Sequence, residues 1–408
     1  MTTDEHDTAT AEFWSHPEEF FRKARSQCPV AELPGDGGYI ITRYDDVVAA
    51  SRRVKEFSSR RPVFGANDPE LAAIAAEGYP EVRTITTNDP PVHTRYRRLV
   101  NKAFFPEQVK ALEPKIQALV DTLLDEAAER GEMNFVGDFA EVMPAMVMSD
   151  ALGIPHDMRD TFRGWAQDMV DTVAGDMALP PERRVACKKS FVQFQHYFAA
   201  LIEERRAHPG DDMVSHLVHA RLAGERPLDV PELLDVCRIL LVAGNDTTTN
   251  LLSGALLALI DHPEQLAEVA ADTSLVPRMV EESLRYISPA RWTMRIVAED
   301  GVEMAGCPLA KGEKARLGLG SANWDEQRFP DPERFDIHRD TSGHMAFGHG
   351  IHFCVGKDLA RAETRIAFQT LFERFTDFEL TVPRAELKPV ASPGVNRLNK
   401  LPIRFRAR

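Results

Sequence analysis

The run Phe347-Gly348-His349-Gly350-Ile351-His352-Phe353-Cys354-Val355-Gly356 constrains this 408-residue chain more than any other stretch. Its three glycines permit a turn with positive φ and let the backbone approach a flat ligand closely. The pattern after it predicts a helix over 355–375, so Cys354 stands where a loop becomes a helix. Unpaired N–H groups and the positive dipole end at that point favour a thiolate over a thiol.

Three readings of the cysteine stay open on these residues alone. A protected thiolate beside the apolar walls of Phe347 and Phe353 suits a haem iron as its proximal ligand. A cysteine in a glycine-rich loop is also often plain buried structure. Zinc is the third reading, because His344, His349, His352 and Cys354 crowd together; against it, no Cys-x-x-Cys pair accompanies them.

Composition excludes several classes. With 49 basic and 63 acidic residues the formal charge is −14, the wrong sign for a nucleic-acid binder. Hydrophobic residues at 43% and charged residues at 27% are ordinary for a globular protein. Five cysteines at positions 28, 187, 237, 307 and 354 are irregularly spaced, which favours a reducing compartment without a disulfide framework. The start, Met1-Thr2-Thr3-Asp4-Glu5-His6-Asp7, has no basic segment or apolar core of a signal peptide. The one membrane-like stretch, 239–260, carries Asn245-Asp246-Thr247-Thr248-Thr249-Asn250 at its centre. An aspartate at mid-bilayer costs about 3 kcal/mol, so this reads as a buried helix. No membrane partner and a cytoplasmic location are expected.

Along the chain, 16–27 reads as an amphipathic helix, 38–43 as a strand and 45–52 as a short helix. From 54 to 88 the pattern dissolves, with Pro62, Gly65, Pro69, Gly78 and Pro80, and is expected to be a mobile wall over a binding site. Helices then dominate, over 91–103, 106–130, 138–152, 156–173, 181–207, 230–261, 263–272, 275–286 and 355–375. Short strands and proline turns fill 287–346 and the end. No repeat or linker cuts the chain, so one domain over 1–408 is expected: mainly α with small β-sheets, a helix-rich lobe plus a smaller strand-bearing lobe.

Two further motifs carry chemistry. The helix over 230–261 is interrupted by Ala243-Gly244-Asn245-Asp246-Thr247-Thr248. A threonine there bonds back to the carbonyl four residues earlier, here Ala243, and opens the helix; Asp246 beside it is an acid able to relay protons. The alternative is a polar patch facing another helix. Glu282 and Arg285, three apart, share a helix face. His93 and Arg97, four apart on the helix opened by Asp89-Pro90-Pro91, present two donors suited to carboxylates.

The ten-residue cysteine string resembles the haem-binding loop of the cytochrome P-450 superfamily, Phe-Gly-x-Gly-x-His-x-Cys-x-Gly, at every fixed position. Ala243-Gly244-Asn245-Asp246-Thr247 resembles that family's oxygen-binding motif, and Glu282-x-x-Arg285 with Pro332-Glu333-Arg334-Phe335 resembles its structural ion network. The four motifs fall in the family's order across essentially the whole chain. The resemblance implies the P-450 fold and haem b, with Cys354 as iron ligand. It implies Asp246 and Thr247 as the proton-delivering pair, and His93, Arg97, Arg295 and His352 as partners of the haem propionates. Phe347, Gly348, Gly350 and Ala243 would also line the cofactor. A Glu282–Arg285–Arg334 network would fix the loop carrying Cys354.

The implied activity is dioxygen-dependent hydroxylation of a medium-sized, mainly apolar substrate such as a terpenoid, steroid or fatty acid. Oxidative coupling or peroxygenase chemistry in natural-product tailoring, and a non-enzymatic haem sensor, are the alternatives. Substrate contacts are expected from Val242, Ala243 and Thr247, from Arg291, Trp292 and Thr293, and from a lid around Phe64, Leu71, Ile74 and Ile85; Arg291 leans towards solvent. No reductase module is visible, so electrons are expected from a separate ferredoxin and ferredoxin reductase. A basic patch of Arg97, Arg98, Lys102, Lys357 and Arg361 is expected to receive them on a monomeric enzyme.

Overall fold

The computed structural model describes residues 17–33, 38–60, 68–175, 179–387, 389–390, 394–395 and 397–408. They fall into two compact units. The first comprises Met1–Ser59, Glu113–Met143 and Thr247–Arg408; the second comprises Arg60–Leu112 and Pro144–Asp246. Among the described residues, every strand lies in the first unit.

A five-stranded sheet orders Val30–Leu33, Gly38–Ile41, Lys314–Leu317, Thr293–Val297 and Phe57–Ser58. Gly38–Ile41 runs parallel to Lys314–Leu317, with Ile40 opposite Arg316; the other pairings are antiparallel. Gly38 is needed for this approach, since a Cβ there would lie 2.7 Å from the Lys314 carbonyl oxygen. Ile40 and Ile41 are both fully buried because both sheet faces are covered. Ile41 packs with Val47, Phe57, Val297 and Met345, and Ile40 with Phe20, Phe21 and Leu33. That is why this strand reads as an apolar run and not as an alternation. A second sheet places Pro402–Ala407 between Glu132–Asn134 and Phe375–Leu380.

The helix Val276–Ile287 carries the buried charges of the first unit. Val276, Met279, Val280, Ser283 and Leu284 recur at helical spacing and are buried. Ser288 ends it in the left-handed region at φ +48°. Glu282 and Arg285 are both 0% exposed. Arg285 donates from Nε and Nη2 to both Glu282 oxygens at 2.7 and 2.8 Å. Its guanidinium also reaches the carbonyls of Asn323, Pro332 and Arg334 at 3.0, 2.9 and 3.4 Å.

The expected third member of this network is corrected. The Arg334 side chain is 67% exposed and pairs with Asp336, so only its carbonyl faces Arg285. Phe335, 0% exposed, takes the inward position and leaves its neighbour projecting to solvent. Arg339 supplies the cation, donating from Nε to Glu282 Oε1 at 3.4 Å and from its other nitrogens to the carbonyls of Pro330, Asp331 and Arg334.

The second unit is helical. Pro181–Ala207 packs against Arg159–Gly175, Met213–His219 and Pro69–Ala75. Phe194 lies 4.5 Å from Phe198 and 5.9 Å from Trp165, centroid to centroid, giving an aromatic core. Of the segment expected to be a mobile wall, residues 68–88 carry tertiary contacts. Asp68 caps the helix Pro69–Ala75, which buries Leu71 and Ile74. Tyr79 exchanges two 3.0 Å bonds with the Gln195 amide, and the Thr84 hydroxyl donates to Asp235 at 2.6 Å. Phe64 lies outside the described residues.

The helix Val230–Asp261 is unbroken over 32 residues, about 48 Å at 1.5 Å per residue. Its residues to Asp246 belong to the second unit and those from Thr247 to the first. In the first unit Gly254 admits a close crossing, because a Cβ there would meet Ile287 at 2.9 Å. Among the described residues no helix is long and apolar enough to cross a membrane.

The network makes a clear stability prediction. Arg285→Ala leaves the Glu282 charge buried without its main partner and should cost about 3–5 kcal/mol. Arg339→Ala should lower the thermal midpoint by a smaller amount, and Arg334→Ala should leave it within error. Thermal unfolding of the three variants checks the order; a larger loss for Arg334→Ala than for Arg339→Ala would restore the original assignment.

Candidate functional site

The cysteine loop closes on its own backbone. Gly348 N–H donates to Met345 O at 2.8 Å, Phe353 N–H to Gly350 O at 3.1 Å, and Cys354 N–H to Phe347 O at 2.9 Å. Gly350 adopts φ +72°, and a Cβ there would lie 2.9 Å from the Ser51 carbonyl oxygen, so glycine is required on both counts. Met345 N–H is received by Asn323 Oδ1 at 2.5 Å, and the Asn323 carbonyl is held by Arg285. The buried ion pair therefore reaches the loop in two hydrogen-bonded steps. The helix after it is Lys357–Arg374, with Gly356 as N-cap. It starts two residues later than expected and leaves Cys354 in the preceding turn. Dipole support falls off beyond the first turn, so it helps the thiolate less than a terminal position would.

Of the three histidines that suggested zinc, His352 and His344 turn to other partners. His352 Nε2 lies 2.8 Å from Ser59 Oγ. His344 Nε2 lies 3.1 Å from Glu281 Oε2, and its Nδ1 accepts from Ala346 N–H at 3.2 Å. Among the described residues no group of three His, Cys, Asp or Glu is arranged to hold a metal ion. A lone thiol in a rigid loop fits a metal whose remaining ligands come from a macrocycle, which is how haem iron is held. Burial pushes the Cys237 thiol up to about 12 and raises Cys187 and Cys307 too, so those three are poor thiolate candidates.

Arg295 is 6% exposed on its strand; Nη1 donates to Met294 O at 2.8 Å and Thr293 Oγ1 at 3.1 Å. The Trp292 ring lies 4.8 Å from the Arg316 guanidinium carbon. Arg291 does not lean to solvent: it is 5% exposed, and burial lowers its pKa to about 10 against the pull of Glu18. With Phe21, Arg25, Tyr286 and Trp324 it lines a cavity of about 60 Å³.

In the second unit His93 is buried and Arg97 half-buried on the helix Val92–Val100. That helix is fixed by Glu232. The Tyr96 hydroxyl donates to Glu232 at 2.7 Å and Arg95 at 3.1 Å. Glu232 also forms a reciprocal cap with Asp229, at 2.9 and 3.0 Å. Burial opposes its charge, yet Arg226, the Asp229 backbone and Tyr96 hold its carboxyl below the usual range. The Asp229-x-x-Glu232 spacing made this cap readable in advance.

Val242 to Thr247 are all more exposed than the buried turns on either side, with Ala243 the most open. Val242, Asp246 and Thr247 are partly buried. Thr248, one position on, is 3% exposed and hydrogen-bonds Glu363. Glu363 is itself 2% exposed, and burial pushes its carboxyl up to about 8, opposed only in part by that hydroxyl. Sequence reasoning passed over it. The available signal was an acid sharing the apolar face of Leu359, Ile366 and Ala367.

The cations expected to receive a redox protein are mostly engaged. Arg361 binds both Glu281 oxygens at 2.6 and 2.9 Å, Lys357 pairs with Asp358 at 2.6 Å, and Lys102 donates to Arg221 O at 2.5 Å. Arg98 keeps 60% of its side chain exposed, with Glu225 3.9 Å away.

Comparison with known proteins agrees with this geometry. The sequence profile of the family Cytochrome P-450 matches residues 39–398. Cytochrome P-450 107B1 of Saccharopolyspora erythraea is 40% identical, covering 92% of this chain and 91% of that one. Vitamin D(3) 25-hydroxylase of Pseudonocardia autotrophica is 34% identical over 98% of this chain and 96% of that one. The structure of cytochrome P-450 CYP109Q5 from Chondromyces apiculatus superposes with a TM-score of 0.87 at 36% identity, covering 99% and 98% of the two chains. The chain belongs to the cytochrome P-450 family, whose members are monooxygenases that hold haem iron through an axial cysteine thiolate.

Proposed function

We propose that this protein hydroxylates a medium-sized, mainly apolar organic substrate, drawing electrons from a separate ferredoxin and its reductase. The observation that carries the reading is the Cys354 loop: self-closed, glycine-dependent, and without neighbouring metal ligands among the described residues. Haem b, when bound, supplies the activation of dioxygen and the insertion of one oxygen atom into a C–H bond. Cys354 would provide the thiolate ligand of the iron, and Phe347, Gly348 and Gly350 hold that sulfur in a rigid apolar turn. In the first unit Arg295 and His352 would donate hydrogen bonds to a carboxylate of the cofactor; in the second, His93 and Arg97 carry donors of the same kind. Arg295 and His93 are already desolvated, which strengthens charged contacts.

Asp246 and Thr247 handle protons. The Thr247 hydroxyl holds and passes a proton, and Asp246, half-buried, exchanges it with solvent. Glu363 keeps its proton at neutral pH and receives the Thr248 hydroxyl next to this pair. On the helix Val230–Asp261, Val242 and Ala243 offer an apolar contact surface for substrate. The relative named for vitamin D(3) hydroxylation supports a substrate of the steroid type.

Three measurements test this. Cys354→Ser should abolish the thiolate-type Soret band of the reduced carbon-monoxide complex; an unchanged band would remove Cys354 from the iron. Thr247→Ala should lower product per electron consumed by about 10²-fold, with peroxide taking its place; unchanged coupling would sink its proton role.

The third concerns pH. Glu363 has a folded pKa raised to about 8 from an ordinary 4.5. Between those values the unfolded chain releases this proton and the folded chain keeps it, so stability falls as pH rises across the window and levels off above about 8. The slope is about 1.4 kcal/mol per pH unit. Glu363→Gln should remove that slope, so its thermal midpoint gains on the parent between pH 5 and 8. Parallel curves would mean that Glu363 is ionised in the folded protein.

A further inference from the structure

Beside the cysteine loop lies a charge pair that the proposed chemistry does not use. Glu281 sits on the helix Val276–Ile287, next to the structural Glu282, and Arg361 on the helix Lys357–Arg374. Arg361 donates from Nε to Glu281 Oε1 at 2.6 Å and from Nη2 to Oε2 at 2.9 Å, a two-pronged pair. The guanidinium carbon lies 4.6 Å from the Phe347 ring centroid. Phe347 in turn provides the carbonyl that receives Cys354 N–H. His344 closes the cluster, bonded to Glu281 through Nε2 and to Ala346 N–H through Nδ1. Arg361 and Glu281 are one cation and one anion, about a third exposed, facing the turn that ends in the sulfur. Burial works against the Glu281 charge, yet the Arg361 and His344 bonds hold its carboxyl down to about 2. The charges facing Arg361 are Glu281, then Asp358 and Cys354.

We infer that Glu281 is a positioning residue that neutralises Arg361 and holds it flat on Phe347, so that the cation does not raise the reduction potential of the iron bound to Cys354. A positive charge near a metal–thiolate centre favours the reduced, more negative state; a negative charge favours the oxidised one. The pair keeps both effects cancelled, and its stacking on Phe347 fixes the loop carbonyl that holds Cys354 N–H.

This rests on the reading of Cys354 as the iron ligand. The test is spectroelectrochemical titration at pH 8 of haem-loaded parent, Glu281→Gln, Arg361→Gln, the double variant and Arg361→Lys. Glu281→Gln should shift the potential up and Arg361→Gln should shift it down. The double variant should return close to the parent, and Arg361→Lys should stay nearer the parent than Arg361→Gln because it keeps the charge. The thiolate-type Soret band of the carbon-monoxide complex should persist in the parent and the double variant. Singles that shift in the same direction, or not at all, would overturn the inference, as would a double variant shifted as far as either single. Loss of the thiolate band in both singles and the double would assign the pair a purely structural role and overturn it too. A parent protein without that band would instead overturn the reading of Cys354.

Discussion

The pairing of Glu282 with Arg285 is the contact on which the first unit depends. Both side chains are fully buried, and removing two such charges from water costs several kcal/mol each. The cost is offset only because every strong partner is present: two charged bonds between them, three carbonyls on the arginine, and the Asp336 N–H and Arg339 on the carboxylate. Such a network has one good arrangement and many bad ones, so it specifies geometry more than it adds stability. Through Asn323 it sets Met345 and the turn that carries Cys354. Asn323 also donates to Ser288 at 2.8 Å, where the helix bearing the pair comes to an end.

Desolvated acids meet different fates, and partners decide which. Glu281 and Glu232 are desolvated, but arginine and hydroxyl donors keep them ionised. Glu363 is more deeply buried and has a single hydroxyl, so it stays protonated near neutral pH. One residue type thus provides a structural anion, a charge cancelled beside the sulfur, and a neutral acid next to Thr247 and Thr248. The thiols divide the same way: buried Cys187 and Cys237 have their ionisation suppressed, while Cys354 lies in an ordered turn at the foot of a helix carrying Arg361.

Much of the secondary structure was legible because long periodic segments average out local noise. The ranges 181–207 and 230–261 match the structure end to end. The short helices Pro69–Ala75, Met213–His219 and Leu319–Asn323 were not anticipated, since two turns or fewer hold too few apolar positions to show a period. The first two carried local marks, the caps Asp68 and Asp212. The contacts of 68–88, within the segment expected to be a mobile wall, were hidden for a related reason: they run to Gln195 and Asp235, over a hundred residues away.

The sequence by itself determined the family, the mainly helical class and the residue pattern of the cysteine loop, because these rest on residue types at fixed short spacings. Glycines at 348 and 350, a thiol at 354 and an acid three residues before an arginine are local facts. Tertiary structure alone decided which charges meet. It replaced Arg334 by Arg339 at Glu282, drew Arg361 out of the basic surface onto Glu281, buried Arg291, and kept Glu363 neutral. The physical reason is common to all four. A charged side chain's state is set by desolvation and by partners within a few ångströms, and those partners come from elements far apart in the chain.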